Sequence, residues 1–144
     1  MNSISVKELN TTTEIMEAYP IMKQLRTHLD EQTYKSLVID AMKYDHYKLM
    51  ALLELGKIVG VIGFKPMITL YYGKFVWICD LVVDDDKRSM GYGEKLLTYV
   101  HQWAKENKYK TIALSSGIQR DVAHRFYENI MNYEKVSYVF KSSF

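Results

Sequence analysis

Two largely apolar stretches stand on either side of a single glycine. They are Tyr47–Leu55 and Lys57–Lys65, with Gly56 between them. Two strand-like runs joined by so short a connection are typical of an antiparallel hairpin. A further run, Phe75–Val83, is the most strand-like stretch of the chain because it is rich in β-branched and aromatic residues. We therefore expect a sheet built around the hairpin and the run that follows it.

Shorter runs supply the remaining strands. Residues 3–8 and Thr111–Leu114 are each predicted to form a short strand. Apolar side chains alternate along residues 136–140, which predicts a strand at the end of the chain. Met67–Tyr72 either extends the second strand of the hairpin or begins a loop, with Gly73 as a turn residue.

Helix signals occupy the segment between the first strand and the hairpin. Thr11 and Glu14 have the spacing of a capping box, so a helix should follow them. Pro20 falls inside this helix, where a proline removes a backbone donor and clashes with the preceding turn, so we expect a kink or a break. Asp30 is a good N-cap for a second helix that runs to about Tyr44.

A helical period returns after the third long strand. From Gly91 the apolar residues recur with helical spacing, and this helix should end near Asn107. Val122–Ile130 has the same character, with Asp121 as a possible N-cap. The order of elements, β-α-α-β-β-β-α-β-α-β, predicts one mixed α/β domain over residues 1–144.

The candidate chemistry is concentrated where the third long strand gives way to a helix. The acidic run Asp84–Asp86 and Lys87-Arg88 are followed by Gly91-Tyr92-Gly93, and the helix opens with Glu94. Such a junction leaves backbone N–H groups without intrahelical partners at the positive end of a helix dipole, which suits a phosphate or pyrophosphate. Arg88 is placed to meet the same anion. The alternative is a plain strand-to-helix turn in which the glycines relieve strain.

The composition narrows the functional classes. The chain has 144 residues, a formal net charge of +2 and one cysteine, Cys79. So small a charge, without clusters of basic and aromatic residues, argues against nucleic acid as the main partner. A single cysteine excludes an intramolecular disulfide and favours a reducing, cytoplasmic location. The N-terminal residues lack a signal-peptide pattern, and no apolar run reaches the roughly 20 residues that span a bilayer, so we expect no membrane association.

A downstream segment makes the glycine loop more specific. The loop has the pattern Arg-x-x-Gly-x-Gly over Arg88–Gly93, and the next helix but one carries Ala123-x-x-Phe126-Tyr127. Together they resemble the GCN5-related N-acetyltransferase (GNAT) family over nearly the whole chain. Gln24-Leu25-Arg26 and the stretch Ser115–Tyr127 are similar to small bacterial members of that family. The resemblance implies a central, mostly antiparallel sheet of about six to seven strands flanked by about four helices.

The resemblance also implies acetyl-CoA as co-substrate. The backbone of Leu81, Val82 and Val83 would pair with its pantetheine arm. Its pyrophosphate would be cradled by Arg88, Ser89, Met90, Gly91, Tyr92, Gly93 and Glu94. The chain departs from the family pattern at Arg120, where an asparagine is common, and at Met131-Asn132, where Gly-Phe is common. Those departures concern the acceptor wall after the last helix and not the phosphate loop.

Transfer of an acetyl group to an amine requires a base and an oxyanion donor. An alkylamine is mostly protonated near pH 7, so some group must accept its proton. Asp80, a carboxylate within an apolar strand, is the best candidate, and Glu54 is second. The structural alternative for Asp80 is an outward-facing residue paired with a lysine. A backbone N–H near Leu81 to Val83 would stabilise the oxyanion.

The departing CoA thiolate needs a proton, and the resemblance assigns that role to Tyr127. The alternative for Tyr127 is a core aromatic on the inward face of its helix. Cys79 as a nucleophile is the weaker hypothesis, because a lone strand cysteine is usually a small apolar filler. The four histidines show no metal-ligand spacing, so we expect no metal.

The acceptor is expected to be an amine of a small molecule or a peptide, and its identity is left open. The segments Tyr19–Tyr44 and Met131–Tyr138, rich in tyrosine and methionine, suit an apolar acceptor, a buried face or the contact of a homodimer. A non-catalytic acyl-CoA-binding sensor is the alternative function. Retention of both Tyr127 and an acidic strand residue favours the enzyme.

Overall fold

The computed structural model describes residues 3–144, which divide into two compact units, one ending at Ala113 and the other running over Leu114–Phe144. The strands are β1 (Ile4–Glu8), β2 (Lys48–Glu54), β3 (Lys57–Thr69), β4 (Gly73–Val83) and β5 (Ile112–Leu114). The helices are α1 (Thr12–Glu17), α2 (Tyr19–Leu25), α3 (Glu31–Tyr44), α4 (Tyr92–Glu106) and α5 (Asp121–Arg125), with a 3₁₀ turn at Asp85–Lys87 and a π-helical turn at Phe126–Ile130.

The strands form one sheet in the order β1-β2-β3-β4-β5. From β1 to β4 each strand runs antiparallel to its neighbour. The β2–β3 hairpin turns at Leu55 and Gly56, which have φ of 52° and 79°. Two successive positive φ angles are typical of the tight turns whose twist matches that of a hairpin. The mixed α/β class and the hairpin around Gly56 are therefore confirmed.

The number of elements differs from the expectation. Within residues 3–144 the sheet has five strands, not six to seven, and there are five α-helices, not about four. Residues 136–140 are not assigned to a strand, and Val136, Tyr138 and Phe140 are 58%, 76% and 92% exposed. The prediction of a last strand was wrong. Alternating apolar residues are the pattern of a strand with one buried face, but a strand forms only where its backbone is hydrogen-bonded to a neighbouring strand. A membrane-crossing helix is not found in this described range.

The N-terminal helices follow their sequence signals. The Thr11 hydroxyl accepts from the Glu14 N–H at 3.2 Å, and the Glu14 carboxylate accepts from the Thr11 N–H at 3.0 Å, as a capping box requires. The Lys7 ammonium, 2.6 Å away, and the backbone N–H groups of Asn10 and Thr11 lower the pKa of Glu14 to about 2. Pro20 lies in the first turn of α2, just after the break at Ala18, so the predicted interruption is confirmed.

Helices cover both faces of the sheet in the first unit. On one face Leu49, Ala51, Val61 and Val82 join a core with buried residues of α1, α2 and α3. On the other face α4 packs on β2, β3 and β4, with the Phe64 ring 5.0 Å from the Trp103 ring of α4. A functional group on β4 is therefore covered by α2 and α3 if it lies on the first face, and by α4 if it lies on the other.

A β-bulge in β4 decides the face of each residue. Ile78 pairs with Phe64 and Asp80 pairs with Gly63, so Cys79 is an extra residue in the ladder. Because Phe64 and Gly63 are neighbours on β3, Ile78 and Asp80 point to opposite faces although they are two residues apart. Asp80 consequently lies on the face covered by α1, α2 and α3.

Candidate active site

The Asp80 carboxylate has a side-chain donor at each oxygen. Its Oδ1 accepts from Arg26 Nε at 2.9 Å, and its Oδ2 accepts from the Tyr47 hydroxyl at 2.7 Å. The side chain of Asp80 is 16% exposed and that of Arg26 is 39% exposed. The ion-pair partner is thus an arginine at the end of α2, not a lysine, and the carboxylate faces the helices. Because an ionised carboxylate has about four lone-pair sites, two contacts leave room for an amine.

Arg26 also spans the bulge. Its Nη2 donates to the Cys79 carbonyl at 2.8 Å, which gives a partner to a group beside the interrupted ladder. Burial, and then the charge of Asp80, raises the pKa of the Cys79 thiol to about 12. Because the thiolate is the reactive form of a cysteine, Cys79 is a poor nucleophile near pH 7.

Tyr47 reaches Asp80 across space that a glycine leaves open. A Cβ on Gly63 would overlap the ring and hydroxyl of Tyr47. Gly63 pairs with Leu49 on one side and with Asp80 on the other, so the phenol lies over the middle of the sheet. Burial, and then the charge of Asp80, raises the pKa of Tyr47 well above its usual value. Tyr47 is therefore a hydrogen-bond donor, not a phenolate, at neutral pH.

A cavity of about 390 Å³ opens beside Asp80 within the first unit. Its walls come largely from α2, α3 and the segment between them, and the lining residues are Met22, Arg26, His28, Leu29, Tyr34, Leu37, Val38, Tyr47 and Asp80. The Tyr34 hydroxyl donates to the Ile15 carbonyl at 2.8 Å, so the cavity receives mainly its ring. The result is an apolar cavity with one ion pair in its wall.

The segment after β4 is fixed by a second side chain of α2. The Gln24 amide donates to Asp84 Oδ1 at 3.2 Å and accepts from the Asp85 N–H at 2.9 Å. The Asp84 N–H donates to the Val59 carbonyl at 2.8 Å. Gln24 and Arg26 are two residues apart at the end of α2. One helix end therefore positions both Asp80 and the start of the glycine loop.

The loop presents backbone donors at the start of α4. Gly91 precedes the helix with φ of 80°, a left-handed conformation that favours glycine. The first N–H groups of a helix have no intrahelical acceptor, and a Cβ on Gly91 would meet no atom within 4 Å, so the surface there is open. The Arg88 guanidinium lies 2.7 Å from the Asp85 carboxylate, and both are exposed. Backbone donors and an exposed guanidinium are suited to an anion.

Glu54, the last residue of β2, contacts the segment that carries this loop and does not line the Asp80 cavity. Its Oε1 lies 2.8 Å from Lys87 Nζ, and its Oε2 accepts from the Tyr92 hydroxyl. Lys87 first, and then Tyr92, lowers the pKa of Glu54, so Glu54 is a weaker base than an unpaired glutamate. Tyr92 is buried, and its bond to Glu54 ties the start of α4 to the end of β2.

The acidic run Asp84–Asp86 stabilises the turn in which it lies. Asp84 Oδ1 accepts from the Asp86 N–H at 3.3 Å, and the Asp85 carboxylate pairs with Arg88. Residues 3–144 hold no group of three or more histidine, cysteine, aspartate or glutamate side chains arranged to bind a metal ion.

Tyr127 lies in the second unit, in the π-helical turn Phe126–Ile130 that follows α5. The predicted helix over Val122–Ile130 is thus present, with Arg120 and not Asp121 as its N-cap. The Tyr127 ring is 5.4 Å from the Phe126 ring and 5.9 Å from the Tyr133 ring. A π-helical turn in this position is a feature that often accompanies functional sites.

Sequence reasoning missed two residues of the site and gave two others no role. Tyr47 and Gly63 were missed, while Arg26 and Gln24 were noted only for a resemblance. Gly63 carried a usable signal, because a glycine inside a strand often marks close approach of another group. The contact between Tyr47 and Asp80 joins positions 33 residues apart, and no local pattern indicates it.

Comparison with known proteins identifies the family to which this chain is similar. The model of the Acetyltransferase (GNAT) family matches residues 10–133. The uncharacterized N-acetyltransferase YhdJ of Bacillus subtilis (strain 168) is 40% identical over 138 residues, which is 96% of this chain and 97% of that protein. The match extends over both units, so it is not confined to the glycine loop.

Solved structures share the fold at lower identity. A GNAT family acetyltransferase of Staphylococcus aureus subsp. aureus USA300_TCH1516 superposes with a TM-score of 0.80 at 22% identity, covering 99% of each chain. The aminoglycoside N-acetyltransferase AAC(6')-Iy, in complex with CoA, gives a TM-score of 0.87 at 14% identity, covering 99% of this chain and 96% of that one. With a family match over most of its length and a close relative along nearly all of it, this chain is an acetyltransferase and belongs to the GNAT family.

Proposed function

We propose that the protein transfers the acetyl group of acetyl-CoA directly to a primary amine of a small molecule or a protein. One observation carries the proposal: Asp80, beside the apolar cavity, is followed on the same strand by Leu81–Val83 and then by the loop Arg88–Glu94. A base, a backbone support and an anion site thus follow one another along a single segment. An amine and a phosphate-bearing thioester that meet at Asp80 would use all three.

The residues of the segment fit acetyl-CoA. The pyrophosphate is assigned to the loop, where Gly91 leaves the surface open and the N–H groups of Gly93 and Glu94 lie in the first turn of α4. Arg88, Ser89, Met90 and Tyr92 complete this cradle. The pantetheine arm is assigned to the backbone of Leu81, Val82 and Val83. This assignment is supported by the contiguity of the strand and the loop, both of which the end of α2 fixes.

The proposed chemistry moves a proton at each stage. The ammonium form of the acceptor gives a proton to Asp80, and the neutral amine then forms the N–C bond while a backbone N–H near Leu81–Val83 stabilises the oxyanion. As the carbonyl re-forms, the C–S bond breaks and Tyr127 donates its hydroxyl proton to the departing thiolate. The new amide nitrogen then gives its extra proton to the Tyr127 phenolate, and Asp80 releases its proton to solvent. Direct attack by the amine is favoured over an acetyl-cysteine route, because the pKa of the Cys79 thiol is raised to about 12.

The alternative is a non-catalytic domain that only binds acyl-CoA. It would need the anion loop but no carboxylate in the cavity. Asp80 is held within hydrogen-bond distance of two donors and still borders the cavity, which favours catalysis over binding alone.

The test is turnover with acetyl-CoA and a panel of primary amines, followed as release of free CoA. We expect acetyl-CoA to raise the melting temperature and at least one amine to release CoA. A thermal shift without turnover on any amine would favour the binding domain. A melting temperature that acetyl-CoA leaves unchanged would instead point to a different phosphate ligand in the loop.

The base is tested with Asp80→Asn, which keeps an acceptor oxygen for Arg26 and places an amide NH2 beside the Tyr47 hydroxyl, which can accept from it, but cannot take a proton. We expect kcat on the best amine to fall by about 10²–10⁴-fold, the usual contribution of a general base. Glu54→Gln is the matched control, because it neutralises the second candidate and should change kcat far less. A larger loss in Glu54→Gln than in Asp80→Asn would reverse the assignment.

A further inference from the structure

The charge of the cavity beside Asp80 limits the kind of amine that it can hold. Among its lining residues Asp80 is negative and Arg26 is positive, and their side chains are paired at 2.9 Å. This ion pair contributes no net charge to the lining. Among the described residues, the cavity wall therefore provides one carboxylate, already partly balanced by Arg26, and no second one.

Apart from His28 and Tyr47, the remaining walls are apolar. Met22, Leu29, Leu37 and Val38 contribute hydrocarbon surface. Tyr34 contributes its ring, since its hydroxyl is bonded to a backbone carbonyl. An ammonium group placed against the hydrocarbon part of these walls would lose water without gaining a hydrogen-bond partner, which is costly. A hydrocarbon or aromatic group placed there would instead be stabilised by burial.

A second positive charge on the acceptor would also lie near Arg26. Like charges brought together in a recognition site cost binding energy and exclude the wrong partner. The volume of about 390 Å³ is near the small end of the range of about 300–1,000 Å³ for ligand pockets. Charge, wall chemistry and size therefore agree.

From these features we infer that the acceptor is a compact primary monoamine with an apolar or aromatic body, and not a polyamine or an aminoglycoside. The inference rests on the proposed acetyl transfer to an amine. The shared fold with AAC(6')-Iy does not oppose it, because a likeness at 14% identity concerns the fold.

The experiment compares kcat/KM for matched amines. Hexylamine and diaminohexane differ by one ammonium group on the same carbon chain, phenethylamine supplies an aromatic body, and spermidine and neamine represent the polycations. We expect hexylamine and phenethylamine to exceed diaminohexane, spermidine and neamine by at least about tenfold.

A substitution in the cavity wall tests the cause. Leu37 lines the cavity and is 54% exposed, whereas Ile39 lies on the same helix outside the lining and is 36% exposed. Leu37→Glu adds the missing second carboxylate, so the ratio of hexylamine to diaminohexane should fall by about tenfold. Ile39→Glu adds the same charge elsewhere and should leave that ratio unchanged. Melting temperatures of both variants show that the fold is retained.

The outcomes separate the two levels of the proposal. Preference for spermidine, neamine or diaminohexane in the wild-type protein would overturn the monoamine inference and leave acetyl transfer standing. An equal change of the ratio in Leu37→Glu and Ile39→Glu would show that the cavity does not set the preference. Release of no CoA with any of these amines, or with a wider amine panel, would overturn the proposed function itself.

Discussion

Each oxygen of the Asp80 carboxylate has its own donor, Arg26 at Oδ1 and Tyr47 at Oδ2. Neither donor is close in sequence to Asp80: Arg26 is the C-cap of α2, and Tyr47 immediately precedes β2. The two bonds fix the rotation of the carboxyl group as well as its position. Sequence reasoning could identify Asp80 because a carboxylate in an apolar strand is conspicuous. It could not identify the donors, because their contacts depend on how helices pack on the sheet.

Gly63 is the residue that makes the second bond possible, and Gly63→Ala tests it. The new methyl group would overlap the Tyr47 phenol, so the ring must move away from Asp80. Overpacking of this kind costs about 1–3 kcal/mol. We expect a lower free energy of unfolding in urea together with a reduced kcat on the best amine.

Two further variants make the Gly63 result interpretable. Gly60→Ala places its methyl group 3.1 Å from a flexible Leu96 methyl and 3.3 Å from the Val82 carbonyl, so it should destabilise less than Gly63→Ala. Tyr47→Phe removes the hydroxyl without a clash and should reproduce the loss of kcat. If Tyr47→Phe kept full kcat, the phenol would have no part in catalysis.

At the scale of elements, the end of α2 has a larger role than its seven residues suggest. Gln24 fixes the start of the glycine loop, and Arg26 fixes Asp80 and the bulge carbonyl. The sequence predicted the break at Pro20 from proline chemistry, but not its use. Because α2 is a separate short helix that begins after Ala18, its end is free to contact β4 through Arg26.

The junction of loop and α4 depends on the left-handed conformation of Gly91, and Gly91→Ala tests that dependence. A Cβ would meet no neighbour there, so the effect is conformational, a cost of about 1–2 kcal/mol. Since relief of this strain would shift the first turn of α4, we also expect KM for acetyl-CoA to rise several-fold. Urea unfolding and initial rates at varied acetyl-CoA measure the two effects.

Gly73→Ala is the matched control for Gly91→Ala. Gly73 has φ of 73° and also has nothing within 4 Å of a Cβ, but it begins β4 at the end remote from the loop. Its replacement should cost similar stability and leave KM for acetyl-CoA unchanged. Equal KM changes in both variants would mean that lost stability, and not loop geometry, affects cofactor binding.

At the scale of the whole molecule, the sequence predicted the mixed α/β class and most elements, because hairpin, cap and helix signals are local. It failed at residues 136–140, where strand formation depends on a distant partner. It also failed to predict the bulge in β4, because the extra residue appears only when β4 is aligned with β3. The elements that depend on local signals were thus predictable from the sequence, while the register of the strands and the choice of their hydrogen-bonding partners were not.

The proposed base and acid belong to different units, Asp80 to the first and Tyr127 to the second. Tyr127→Phe should therefore lower kcat by about 10²-fold or more, the contribution of a general acid, while KM for acetyl-CoA changes little. Tyr71→Phe, at an exposed tyrosine in the turn between β3 and β4, is the control and should have no effect. Unchanged turnover in Tyr127→Phe would remove the acid role and leave that of Asp80 intact.

The bulge at Cys79 has a consequence for how β4 tolerates change. A regular strand has a phase: every second side chain returns to the same face. Because Cys79 is an extra residue, the alternation between the two faces shifts by one position there. Side chains on a given face occupy every second position before Cys79 and every second position after it, but the two series are offset by one residue. Cys79 therefore acts on the strand as one extra residue, and its sulfur has no part in this effect. A substitution of Cys79 would change only the local packing. Deletion of one residue at this point would turn either Asp80 or the part of β4 before it to the opposite face of the sheet.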